Sequence, residues 1–290
     1  MIGTTFPFFM NIIQVYKRFP TQDSCVAHLE KVRWEGKPKC PYCKSLNSTP
    51  MPKQKRHHCN ACNTSYSVTV ATIFHKTKID LQKWFLAIAL ILNAKKGISA
   101  RQLSRDLEVN KNTAWFLAMR IRRAMLQDFK LLSGIVEMDE TYVGGKPRKG
   151  SGKRGRGTKK TPVVGMIERG GRVKARTAKN VTAKVLTSLV RENVEVALST
   201  MMTDEFKGYS RLGAIVTHKS VNHSKAYVDG DVHTNGIEGF WALLKRGIVG
   251  QYHKVSARHL PRYIDEFCFR YNNRENANVF DVLLLKSLPN

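Results

Sequence analysis

Acidic residues are scarce in this chain: 22 Asp and Glu stand against 49 Lys and Arg in 290 residues, a formal net charge of +27. Such a surplus repels itself in the compact state and draws the protein to polyanions. The basic residues run through helices and loops alike instead of gathering in one tail, so nucleic acid is the expected partner. Long apolar runs are missing too. No stretch approaches the roughly 18 consecutive apolar residues that a membrane-spanning helix needs. The apolar opening MIGTTFPFFMNIIQVYKRFP has neither a basic start nor a small-residue cleavage site, so it does not read as a signal peptide, and Met10 is a plausible true start. Cysteines number only six, which excludes a disulfide-stapled secreted scaffold and favours a reducing interior. No internal repeat is visible. With 42% hydrophobic residues the chain can bury two or three cores, so general disorder is excluded as well.

Four segments are expected. Residues 1–36 carry Pro20, a capping Thr21 or Asp23, and the short helix SCVAHLEKVRW. Residues 37–77 hold paired cysteines and the β-rich SYSVTVATIF. Residues 78–130 read as helical, and residues 131–290 as alternating strands and helices. Within the last segment KPRKGSGKRGRGTKK (146–160) has eight basic residues, four glycines and no acid, the composition of an unpacked loop.

Cys40-Pro-Tyr-Cys43 and Cys59-Asn-Ala-Cys62 are two CxxC pairs separated by fifteen residues. Each CxxC turn aims two thiolates at one point, and two such turns make a closed tetrahedral cage suited to structural Zn²⁺. His57 and His58 precede Cys59 and compete for a ligand place, although surface positions near phosphate suit them better. Cys25 and Cys268 have no partner motif and are expected in the core. Further on, LQKWFLAIALILNAKKG is apolar on all sides of its middle and predicts a buried helix ending at Gly97. Ser99 caps a short helix through Leu107, EVNK turns the chain, and Asn112 or Thr113 opens a second helix. The pair suggests either a helix-turn-helix or a plain helical hairpin, with Arg120, Arg122 and Arg123 able to face phosphates.

SGIVEMDETYVGGK predicts a strand with Glu137 and Asp139 on one face and Met138 and Glu140 on the other. Two strands around Gly170-Gly171, a helix, a strand ending on Asp204 and the strand AIVTHKSVNH follow. This order suggests an RNase H-like α/β fold, in which Asp139 and Asp204 sit on neighbouring strands. Each carboxylate alone reads as a surface residue or a cap. Clustered in so basic a chain they need a cation, and oxygen ligands suit Mg²⁺.

The knuckle pair, TIFHKTKIDLQKWFLAI, GISARQLSRDLEVNKNTAW, VEMDETYVGGK, TDEFKGY, HTNGIEGFWALLKRG and YIDEFCFRYNNR together resemble DDE-type insertion-sequence transposases with an N-terminal zinc ribbon, the ISXO-like group related to Merlin elements. The resemblance covers nearly the whole chain from about residue 11. It implies a multidomain protein of zinc ribbon, helix-turn-helix-like region and RNase H-like catalytic domain. Implied too are cleavage of DNA at transposon ends and joining of the 3′ ends to target DNA, with two Mg²⁺ or Mn²⁺ ions. Asp139 becomes the first catalytic carboxylate, Asp204 the second, and the helix at 235–246 supplies the third. There Glu238 is the better metal ligand, because an ionised carboxylate neutralises the cation and an amide does not. Asn235 is the alternative. Lys245 and Arg246, with Lys153, Arg154 and Arg156 of the basic loop, become contacts to the DNA backbone. A homodimer or larger assembly on double-stranded DNA, in the bacterial cytoplasm at the nucleoid, goes with that activity. The competing reading is a DNA-binding regulator that keeps the ribbon and helices without catalysis.

Overall fold

A computed structural model describes residues 10–144, 160–221 and 233–288. The chain forms two compact units, one running up to Met125 together with the segment from Glu275 onward, the other spanning Leu126–Arg274.

The first unit begins with α1 (Ile12–Arg18) and α2 (Gln22–Trp34). Asn11 and Gln14 bond each other's backbone at the start of α1, and Thr21 and Ser24 do the same for α2, so side chains satisfy amides that a helix start leaves bare. Three short antiparallel strands follow, β1 (Ser48–Met51), β2 (Arg56–Cys59) and β3 (Thr64–Tyr66), in the order β1-β2-β3. The β-rich SYSVTVATIF was expected to be strand, but after Tyr66 it turns repeatedly. The Thr72 hydroxyl donates to Thr69 O and accepts from Phe74 N, Ala71 takes a positive φ, and Arg33 donates to the carbonyls of Val68 and Val70. Local hydrogen bonds outcompete a ladder there.

Next come α3 (Leu81–Asn93), α4 (Ala100–Leu107) and α5 (Lys111–Ala124). Trp84, Phe85, Leu86, Ala87, Ile88 and Ala89 are all buried, as the apolar run requires. Helix α3 stops at Asn93, and Gly97 closes the following turn at φ +86. Ser99 caps α4, whereas α5 is capped by Asn110, earlier than the sequence suggested. Two of the arginines expected to face phosphate turn inward. Arg122 is only 2% exposed, and Arg120 donates to His75 O while lying over the rings of Trp84 and Phe116. Long cationic side chains can bury their stems and serve packing. Arg123 is exposed.

The second unit is built on β4 (Leu132–Val143), β5 (Thr161–Glu168), β6 (Val173–Thr177), α6 (Ala183–Asn193), β7 (Val194–Asp204), β8 (Thr217–Val221), α7 (Asn235–Arg246) and α8 (Leu260–Asn272). Its mixed sheet has the order β6-β5-β4-β7-β8; β4, β5 and β6 are antiparallel neighbours, and β4, β7 and β8 are parallel. Gly170 at φ +69 makes the β5–β6 hairpin, as its Gly-Gly sequence suggested. Strand β7 is longer than expected and leaves α6 without a linker, whereas β8 starts later because residues 207–209 and 212–214 wind into short helical turns. Val136, Met138, Val164, Met166, Leu189 and Met201 pack one sheet face around α6. Against the opposite face, α7 buries Ile237, Phe240, Trp241 and Leu244, a one-sided stripe at helical spacing.

The outer edge of β6 is closed by side-chain amides. Asn272 accepts from Val173 N at 2.7 Å and donates to Val173 O at 2.9 Å, while Gln127 accepts from Ala175 N at 3.1 Å and donates to Ala175 O at 2.7 Å. Much of the YIDEFCFRYNNR motif serves this unit's packing: Glu266 and Arg270 form a buried ion pair, and Arg274 donates to Gly171 O. The last helix, α9 (Val279–Lys286), was grouped by sequence with the α/β half. It belongs instead to the first unit, where Phe280 meets Phe19 and Phe85, Asp281 pairs with Arg18 at 2.9 Å, and Ser287 O accepts from Ile73 N. Among the described residues no helix is long and apolar enough to cross a membrane.

Candidate metal and nucleic-acid site

In the zinc ribbon, the sulfurs of Cys40, Cys43, Cys59 and Cys62 all lie within 4.8 Å of one another. Cys40 and Cys62 are 3.7 Å apart, and Cys43 and Cys59 3.5 Å. A tetrahedral Zn²⁺ with Zn–S bonds of about 2.3 Å needs sulfurs roughly 3.8 Å apart, so the four residues fit that ion. Both turns end alike: Lys44 and Asn63, each directly after the second cysteine of its pair, take left-handed backbone at φ 65 and φ 53. Burial pushes the Cys59 thiol up, but the backbone amides of Cys62 and Ala61 aimed at its sulfur outweigh that and bring it down to about 7. Against the pull of the Ser45 amide, Cys43, whose sulfur lies 3.5 Å from that of Cys59, is pushed the other way, up to about 12, by the thiols around it, so of this pair Cys59 gives up its proton first. His57 is neither a ligand nor a surface residue. It is buried, 3.0 Å from Glu30 Oε1, stacked on Tyr66 and edge-on to Trp34. His58 is partly exposed and 3.3 Å from Ser65 Oγ. Cys25 and Cys268 are fully buried, as expected.

The carboxylates gather on the α7 face of the larger sheet. Strands β4 and β7 run parallel with Glu137 opposite Met202, so two residues further on the same register sets Asp139 beside Asp204. Across the other neighbour, Asp139 pairs with Gly165 of β5. Trp241 Nε1 donates to Asp139 Oδ2 at 3.0 Å, and Phe206 N donates to Asp204 Oδ1 at 3.0 Å. Burial first, then the negative charges of Glu140 and Asp204, push the Asp139 carboxyl from its ordinary 3.8 up to about 7, against the pull of the Glu140 amide and Trp241. Glu140 itself points to the opposite face, where the buried Tyr209 hydroxyl donates to it at 2.7 Å.

On α7, Glu238 and Asn235 are both exposed, and Glu238 Oε1 accepts from Thr234 Oγ1 at 3.1 Å. At about 100° per residue, Glu238 lies about 60° around the helix from Trp241 and Lys245 about 40° on the same side, whereas Asn235 lies about 120° away. Lys245 and Arg246 are exposed in the last turn. Among the described residues only the cysteines close into a compact ligand cluster; Asp139, Asp204 and Glu238 do not. Lys153, Arg154, Arg156 and nearly all of the basic loop 146–160 fall outside the described residues.

The roles of three residues here escaped sequence reasoning. Glu137, on the same face as Asp139, is 1% exposed and bonded to α7. Trp241, buried in α7, holds the Asp139 carboxylate as well as packing the helix. Gly165, in the middle of an apolar strand, carried the one available signal, since a strand glycine often marks close approach of another element. A Cβ there would lie 2.5 Å from Trp241 Cη2 and 2.9 Å from Ile237 Cδ1. Gly165→Ala is therefore expected to push α7 off the sheet and cost about 1–3 kcal/mol in urea unfolding. Stability equal to the wild type would mean that the helix does not need this close contact.

Residues 131–272 match the family model of the ISXO2-like transposase domain, and residues 20–65 match that of the transposase zinc-ribbon domain. The chain carries an ISXO2-like transposase domain behind a transposase zinc ribbon. An uncharacterized protein in transposable element ISH50 of Halobacterium salinarum is 29% identical to this chain over 274 residues, covering 88% of this chain and 92% of that relative. Two solved structures are similar at low identity. A pre-cleavage Mos1 transpososome is 14% identical, covering 70% of this chain and 78% of that one, with a TM-score of 0.26. The Mos1 strand transfer complex is 13% identical, covering 71% and 78%, with a TM-score of 0.28.

Proposed function

We propose that this transposase binds the ends of its element, cleaves the DNA there and joins the 3′ ends to target DNA, on an RNase H-like domain whose active site is Asp139, Asp204 and Glu238. The observation that carries this reading is the pair of aspartates on adjacent parallel strands, both on the α7 side of the sheet, with the first held up to about 7 by burial and like charge. Two carboxylates crowded in a half-buried site keep their charge together only with a cation between them. Divalent cations held by Asp139, Asp204 and Glu238 would supply the positive charge that activates water or a 3′-hydroxyl and stabilises the departing oxygen. The protein's part is positioning. Trp241 orients Asp139, the Phe206 amide orients Asp204, and Glu238 must turn from the Thr234 hydroxyl to join them.

The positions of Lys245 and Glu238 on Trp241's side of α7 support Lys245 and Arg246 as backbone contacts at the reacting strand. The zinc ribbon and the helices α4 and α5, acting as a helix-turn-helix with Arg123 on its surface, read the end sequence. The net charge of +27 supports binding of double-stranded DNA at both places. Joining two ends asks for a dimer or larger assembly on DNA. In a Mg²⁺-dependent cleavage assay on an element-end duplex, Glu238→Gln is expected to abolish cleavage, whereas Asn235→Ala only weakens it. The reverse ranking would move the third ligand to Asn235, and cleavage unaffected by both would remove α7 from the active site.

A further inference from the structure

Helix α7 carries Glu238, the third acidic residue of the catalytic reading, yet its start lacks the usual cap. The N-cap hydroxyl of Thr234 makes no bond to the helix amides and is directed to Glu238 instead. The amides of Gly236 and Ile237 donate to a carboxylate about one hundred residues earlier in the chain, Glu137 Oε2, at 2.7 and 3.1 Å. Its other oxygen accepts from Arg169 Nε at 3.1 Å, and His233 Nδ1 lies 3.2 Å from it. Arg169 reaches on to His233 O at 3.3 Å. Glu137 is 1% exposed, so its charge is matched by protein groups and not by water. A negative charge at a helix N-terminus also meets the positive end of the helix dipole. A Cβ on Gly236 would come within 2.8 Å of Glu137 Oε2, which explains the glycine directly after Asn235.

We propose that Glu137 is a positioning residue that clamps the first turn of α7 to β4 and so sets where Glu238 meets Asp139 and Asp204. This rests on the catalytic reading above. Both oxygens of Glu137 are occupied by α7 and Arg169, which sets it apart from the acidic residues assigned to metal, although it shares a strand face with Asp139.

Two measurements on the full chain test the clamp separately from the chemistry. In metal-free, DNA-free protein, hydrogen exchange at the Gly236 and Ile237 amides is expected to rise about tenfold or more in Glu137→Ala, the scale of losing a charge-assisted bond. In Mg²⁺-dependent cleavage well below the unfolding temperature, Glu137→Ala is expected to slow the reaction at least tenfold and raise the half-saturating Mg²⁺. Glu137→Gln, which keeps a carbonyl acceptor for the two amides, is expected to recover much of that loss. Gly236→Ala disrupts the same contact from the helix side and serves if Glu137→Ala does not fold. Unchanged exchange and an unchanged Mg²⁺ midpoint in these variants would overturn the clamp. Glu137→Gln as inactive as Asp139→Asn would overturn it in favour of Glu137 as a metal ligand. If Asp139→Asn itself cleaves normally, the catalytic reading has failed, and the exchange measurement still decides the clamp.

Discussion

Asp139→Asn is expected to abolish Mg²⁺-dependent DNA cleavage and, in the same protein without metal, to raise thermal stability at pH 8. The two effects have one cause. The folded protein lifts the Asp139 carboxyl to about 7 from an ordinary 3.8, because burial, Glu140 and Asp204 all oppose its charge. Between those values the folded state keeps a proton that the unfolded chain has lost. The stabilising contribution is therefore complete below about pH 4 and fades as pH rises through 7. Above 7 the wild type folds around an opposed negative charge that asparagine does not carry, while the asparagine carbonyl can still accept from Trp241 Nε1. The rise to about 7 bounds the gain at roughly 4 kcal/mol. Melting in a chelator should show the variant ahead of wild type at pH 8 and level with it at pH 4. A variant less stable than wild type at pH 8 would contradict the electrostatic account. Added Mg²⁺ should raise the wild-type melting temperature and leave the variant's nearly unchanged.

Stripping the zinc ribbon of metal is expected to have the largest structural effect. Three strands of three or four residues cannot hold themselves together, and Tyr66, His57 and Trp34 form a small aromatic cluster beside them. Zinc bound by four such thiolates contributes on the order of 10–16 kcal/mol in small zinc modules. Cys59→Ser, or a strong chelator, is expected to release one zinc per chain and unfold residues 37–66, read as lost amide protection in β1–β3. The sheet of the second unit should keep its protection. A folded ribbon without metal would mean that the aromatic cluster suffices.

What the sequence made legible follows from how local each signal is. The CxxC spacing states the whole geometry of its site, because four sulfurs need only two turns. HTNGIEGFWALLKRG reads as a helix from its own residues, and Ile237, Phe240, Trp241 and Leu244 are the side chains that helix buries. Alternation along β4 placed Glu137 and Asp139 on one face, but it cannot tell a helix anchor from a metal-ligand candidate. The difference lies in the amides of Gly236 and Ile237, far away in sequence. SYSVTVATIF misled because β-branched residues favour strands on average, while here the Thr72 hydroxyl bonds the nearby backbone and Arg33 takes the carbonyls of Val68 and Val70. Arg122 misled because charge pattern alone does not reveal a buried guanidinium. Nothing local in FDVLLLK says which of two cores its apolar side will join.

The amides of Asn272 and Gln127 on β6 also bear on how copies of this chain can associate. An open strand edge invites the same strand of another molecule, and that pairing can repeat without limit. Here the outward N–H and C=O groups of Val173 and Ala175 are already bonded. Over that stretch the edge is closed, so another copy cannot extend the sheet by pairing with Val173 and Ala175, and this part of β6 is no seed for fibres.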